Sequence, residues 1–184
     1  MNLNKLRDKA YQCAIAHGWH EENLSDEHIL CLVISELMEA VEADRKGNHA
    51  DTDAFNKYYN CVNFKENFER QIKGTVEEEL ADACIRLLDL AGLRSVDLGE
   101  IDPDELKCSE GFFNWNFTDA IFSLVCNITD TDYIETHSFD SFLRVALVEI
   151  LVFCVQKDID IFWYIEQKMK YNELRPYKHG DKNY

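Results

Sequence analysis

Residues 75–92, TVEEELADACIRLLDLAG, decide the fold. Thr75-x-x-Glu78, placed after Gly74, is a capping box that opens a helix, and Gly92 is the residue expected to close it near Ala91. Between them Val76, Leu80, Ala83, Leu87 and Leu90 recur with helical period, so one face is apolar. Working outward, a second strong helix opens after Asn23-Leu24-Ser25, with Ser25 or Asp26 as N-cap, and ends before Gly47. A first helix runs from Leu3 to Ala16 and stops at His17-Gly18. The polar stretch from Asn48 to Lys73 reads as one further helix with irregular ends. Asp102-Pro103 is an N-cap followed by Pro at N1, starting a short helix towards Lys107. Later helices are expected at Asn116 to Asn127, Phe139 to Val155 and Ile161 to Leu174, the last stopped by Arg175-Pro176 ahead of an extended tail. These eight helical stretches, without repeat or long linker, predict a single all-α domain over residues 1–184, built as an antiparallel helical bundle.

The bulk composition agrees. Of 184 residues 46% are hydrophobic, with 7 Gly and only 2 Pro, which suits a packed core and excludes a low-complexity polymer. Lys and Arg total 19 against 35 Asp and Glu, a net charge of −16 that repels phosphate backbones and anionic membranes, so no nucleic-acid or membrane partner is expected. The 7 cysteines are odd in number, scattered, and never in a C-x-x-C pair, which points to a reducing cytoplasm rather than a disulfide framework. Cys31 and Cys84 fall at helical core positions and read as small buried hydrophobes.

The chemistry concentrates on two helices. Glu36-x-x-Glu39 and Glu79-x-x-Asp82 each place two carboxylates on one helix face. Such pairs abound on solvated faces, and Asp82 has Arg86 at i+4 as a simple partner. Glu36, however, falls inside the apolar arc of its helix beside Ala40 and Ala43, where a carboxylate is costly without a cation or hydrogen bonds. If the two helices pack antiparallel, four carboxylates converge with few neighbouring basic residues, and a divalent metal is the economical counter-ion.

A second constellation is C-terminal. Lys168, Asn172 and Arg175 lie at i, i+4 and i+7, followed by Lys178, in the one basic segment of an acidic chain, suited either to phosphate or to the helix macrodipole. Trp19, between His17 and His20, is a candidate to stack on a base, or else a plug at a helix end. Phe112, Phe113, Trp115 and Phe117, with Phe162, Trp163 and Tyr164, read as core or subunit interface. Asp89, about two turns beyond Asp82, reads as solvent-facing, or else as support behind the acidic pairs.

The ordered set of Glu36-x-x-Glu39, Glu79-x-x-Asp82 and the closing KMKYNELRPYKHG resembles the all-α nucleoside triphosphate pyrophosphohydrolase superfamily, the MazG-like proteins related to dimeric dUTPases. That resemblance implies Mg²⁺, with Mn²⁺ as an acceptable substitute, held by Glu36, Glu39, Glu79 and Asp82. It also implies contacts from Lys168, Asn172, Arg175 and Lys178 to phosphates or sugar, and a homodimer or homotetramer. The implied activity is hydrolysis of a nucleoside or deoxynucleoside triphosphate to monophosphate and pyrophosphate, in the housekeeping of nucleotide pools. The stretch from Asn48 to Lys73 departs from the family by lengthening the gap between the acidic pairs. A non-catalytic nucleotide sensor or interaction protein on the same fold is the alternative. A di-iron carboxylate bundle would want Glu-x-x-His pairs, and Asp82 stands where such a histidine is needed.

Overall fold

The computed structural model describes residues 1–109, 111–130 and 136–178. Nine α-helices are seen among them: α1 Leu3–Ala16, α2 Asp26–Arg45, α3 Thr52–Tyr58, α4 Phe64–Gln71, α5 Val76–Leu93, α6 Pro103–Cys108, α7 Phe117–Ile128, α8 Phe139–Gln156 and α9 Ile161–Glu173. No strand is present among the described residues, and the fold class is all-α. No helix is long and apolar enough to cross a membrane. Of the expected tail, residues 179–184 lie outside the described residues.

The N-caps act where the sequence puts them. Ser25 accepts from the His28 amide, Thr75 from that of Glu78, and Asp102 from that of Asp104 ahead of α6. At α5 the box is modified, because the Glu78 carboxylate reaches back to the Gly74 amide at 2.8 Å. The helix that opens there is the centre of the molecule. It packs against α1, α2, α8 and α9, and Leu80, Ala81, Ala83, Cys84, Leu90 and Ala91 are fully buried. α2 runs antiparallel to it, pinned by Arg86 on Glu36 at 2.5 Å and by Arg94 on Asp26 at 2.7 Å.

Several expectations are corrected by this packing. Gly92 does not end α5, which continues to Leu93; it is instead a point of close approach, where a Cβ would lie 2.5 Å from Tyr11 Cβ on α1. Cys31 is exposed, on the face of α2 turned away from α5, whereas Cys84 is buried. Phe112 is buried, but Phe113 and Trp115 are exposed, as is Phe122 on α7.

The stretch from Asn48 to Lys73 is two short helices, not one. Asp51 caps α3 and Asn63 caps α4, and the break lets the pair fold back, tied by Asn67 Nδ2 donating to the Phe55 carbonyl at 2.8 Å. The reward is aromatic: Phe55 meets Trp163 edge-on at 5.5 Å, and Phe68 stacks on Tyr171 at 4.5 Å. Lys170 lies 4.1 Å above the Phe64 ring, and Tyr171 donates to Glu69. The insertion is thus a buttress for α9.

Gly92→Ala tests the helix contact. Alanine gains about 1 kcal/mol of helix propensity, but forcing a methyl against Tyr11 costs about 1–3 kcal/mol. Thermal melting should show a lowered Tm; a raised Tm would mean that α1 and α5 are not in close contact there.

Candidate functional site

A cavity of about 780 Å³ opens between α1, α2, α5 and α9, within the size range of small-molecule sites. Antiparallel packing of α2 on α5 sets Glu36 and Glu39 against Glu79 and Asp82, while α9 crosses behind them with Lys168, Asn172 and Arg175. Trp19 joins from the loop after α1. Eight of the nine residues expected at the site therefore line one cavity. Lys178 is apart from it: it lies 3.5 Å from Glu21 and 3.8 Å from Glu22, and its amide donates to the His17 carbonyl, so it fastens the chain end to the loop after α1.

The carboxylates form two overlapping triads. Oxygens of Glu36, Glu39 and Glu79 lie within 4.8 Å of one another, as do those of Glu78, Glu79 and Asp82. Glu78 was legible only as a capping residue; its second oxygen, freed from the cap, faces the cavity. Two cations are spoken for. Arg86 holds Glu36, not Asp82, although Asp82 is its i,i+4 neighbour. Lys168, only 5% exposed, bridges Glu78 and Asp82, lying 2.5 Å from the latter. Burial by itself would depress the Lys168 ammonium; Asp82 and Glu78 more than reverse this and hold it charged.

Glu79 is left over. It is 8% exposed, and among the described residues it has no hydrogen bond or ion pair; neither has the exposed Glu39 across from it. Burial, reinforced by Glu78 and Asp82, pushes the Glu79 carboxyl up to about 9. Burial likewise raises Glu36 and Glu78, with Asp82 adding to both. Buried charges are paired or coordinate metal, so this donor set of hard carboxylate oxygens fits a divalent cation such as Mg²⁺ or Mn²⁺. Comparison with family models, with curated proteins and with solved structures found no match to this chain.

The cavity wall also holds groups that sequence reasoning missed. Lys73, the last residue of the insertion, stands exposed at the rim, and the half-buried Arg175 lies with its guanidinium 6.0 Å over the Tyr171 ring; among the described residues neither makes an ion pair. The signal for Lys73 was its position, one residue before Gly74 and the cap of α5. Asn172 Oδ1 is buried with no hydrogen-bond partner among the described residues. Asp89, expected at the surface, faces the cavity and is bound by His20 Nε2 at 2.8 Å.

The Glu79 carboxyl sets a pH dependence. Between its ordinary value of 4.5 and about 9 the folded protein carries a proton that the unfolded chain has released, so stability falls as pH rises through that window. Metal-free protein should melt at a lower temperature near the top of the window than near the bottom. Glu79→Gln should flatten the slope, and Mg²⁺ should restore most at high pH, where no proton competes. A wild-type Tm that rises across this range would contradict the partnerless state of Glu79.

Proposed function

We propose that this chain is a divalent-metal-dependent nucleoside triphosphate pyrophosphohydrolase, cleaving a triphosphate to the monophosphate and pyrophosphate. The observation that carries the reading is Glu79: a carboxylate without a partner among the described residues, beside Glu39, in a cavity that also holds two cations, Lys73 and Arg175, with no ion pair among those residues. Acid at one side and free cation at the other is the arrangement a metal-bound triphosphate completes. The likeness to MazG-like proteins in the order of the acidic pairs supports the same reading.

Glu36, Glu39, Glu79 and Asp82 would hold the cation, which supplies charge neutralisation at phosphorus and lowers the pKa of water. The chain's own residues do the rest. Arg86 fixes Glu36, and Lys168, buried between Glu78 and Asp82, fixes Asp82 with an ammonium already turned to carboxylates. Its role is thus positioning rather than the phosphate contact expected of it. Glu39, the exposed member of the set, would keep one carboxylate oxygen off the cation, and that oxygen takes the proton from the attacking water as the water's oxygen bonds to the α-phosphorus. The bond from that phosphorus to the β-bridging oxygen breaks, and pyrophosphate leaves towards Arg175 and Lys73, whose charges balance it. Asn172 meets a hydroxyl of the sugar with its buried, unsatisfied oxygen. The exposed Phe113, Trp115 and Phe122 are the surface through which a homodimer or homotetramer would form.

The test is pyrophosphate release from a panel of ribo- and deoxyribonucleoside triphosphates with Mg²⁺ or with EDTA. Metal-dependent release of equal pyrophosphate and monophosphate is expected, reduced about 10²- to 10³-fold in Glu79→Gln. Arg175→Ala and Lys73→Ala should raise KM. Triphosphates that bind without turnover would replace the enzyme with a nucleotide sensor; failure of all to bind would overturn both readings.

A further inference from the structure

α5 works as a ruler along the cavity. Asp82 and Asp89 are seven residues apart, close to two full turns, so they share a face about 10 Å apart along the axis. At the first end lie the acidic triads; at the second, Asp89 meets His20. The register of α2 against α5, fixed by the Glu36–Arg86 and Asp26–Arg94 pairs, brings Leu32 and Ile29 beside the second end. Ala10 and Ala14 of α1 and Ile85 of α5 line the same cavity. Charge gives way to apolar wall along one cavity, with Trp19 as a flat surface in its lining. In a nucleotide, the α-phosphorus and the Watson–Crick edge of the base are separated by a comparable distance.

The polar atoms at the apolar end are specific. His20 Nε2 donates to Asp89 Oδ1, and its ring lies 5.2 Å from that of Tyr11. With the proton on Nε2, His20 Nδ1 is an acceptor, and Asp89 Oδ2 has no hydrogen-bond partner among the described residues. Burial raises the Asp89 carboxyl, and the His20 hydrogen bond and nearby Arg86 pull it back towards the ionised form. Both unsatisfied atoms accept, and neither donates. A ligand edge that reaches them must therefore bring N–H groups; a carbonyl oxygen there would face a carboxylate oxygen with nothing between them.

Resting on the pyrophosphohydrolase reading, we propose that Asp89, positioned by His20, is the specificity-determining residue of this cavity and selects a base that carries an exocyclic amino group, cytosine, adenine or guanine, over one such as uracil that has a carbonyl in its place. A hydrogen bond to a charged acceptor is worth about 1.5–3 kcal/mol, which is roughly a 10- to 100-fold preference. Asn in place of Asp89 keeps the shape and can keep the acceptor towards His20 while turning an N–H towards the ligand, so it rewards the carbonyl instead.

The experiment uses dCMP and dUMP, which differ at this edge by one amino-for-carbonyl exchange and its proton. Their binding is measured by calorimetry in EDTA, so that no turnover enters. Wild type should bind dCMP at least about tenfold more tightly, and Asp89→Asn should abolish or invert that ratio while leaving the melting curve cooperative. Equal affinities in the wild type, binding of neither, or an Asp89→Asn variant that weakens both by the same factor would each overturn the assignment. Should Asp89→Asn fail to fold, the wild-type ratio together with His20→Phe decides: loss of the positioning donor should reduce the preference, and an unchanged ratio would refute it. Hydrolysis of dCTP and dUTP separates this claim from the one beneath it. Turnover of both at equal kcat/KM leaves the pyrophosphohydrolase standing without Asp89 selection. Selective dCMP binding without any turnover leaves Asp89 selection standing in a protein that does not hydrolyse.

Discussion

The ammonium of Lys168, buried between Glu78 and Asp82, ties α9 to the centre of the molecule. Removing one partner of such a buried group costs about 3–5 kcal/mol because the remaining charges are stranded. Much of the cavity depends on it. With Lys168 in place, α9 brings Asn172 and Arg175 to the cavity wall. Asp82 is oriented, and Glu78 is held at the junction of cap and cavity. The aromatic buttress of α3 and α4 secures the other face of α9 through Trp163 and Tyr171. The insertion serves the site from behind, and its final residue, Lys73, returns to the rim.

The same contact makes the site electrostatically incomplete. Six carboxylates line the cavity: Glu36, Glu39, Glu78, Glu79, Asp82 and Asp89. Lys168 answers two, Arg86 answers one, and His20 hydrogen-bonds another. Glu39 and Glu79, which face each other across the α2–α5 seam, are left with no partner among the described residues. Glu79 responds in the only way a metal-free protein allows, by holding its proton to about 9. A cation arriving there displaces that proton, which links metal affinity to pH.

Much of this was legible in the sequence, and the limits have physical causes. Local chemistry was readable: Ser25, Thr75 and Asp102-Pro103 announce their helices through hydrogen bonds made within one turn. The placement of Glu36 in an apolar arc pointed to its burial. What depends on partners from elsewhere in the chain was not readable. Gly92 looks like a terminator until Tyr11 of α1 lies against it. Arg86 stands at i+4 from Asp82, the partner that sequence spacing favours, and only the register of α2 sends it to Glu36. Lys168 has the spacing of a phosphate ligand, yet two carboxylates reach it first. Asp89 reads as surface until the loop after α1 folds His20 over it. The stretch from Asn48 to Lys73 has helical composition throughout, and its break at residues 59–63 serves aromatic contacts with a helix about a hundred residues away.

The central claim is that Glu39 and Glu79, with Glu36 and Asp82, hold a divalent cation. Crystals grown with Mn²⁺ and measured at an energy where manganese scatters anomalously test it directly. The account predicts an anomalous peak between α2 and α5 within coordination distance of Glu79, with Lys168 still on Glu78 and Asp82. No peak at saturating Mn²⁺, or a peak elsewhere with Glu79 still without a partner, would contradict it.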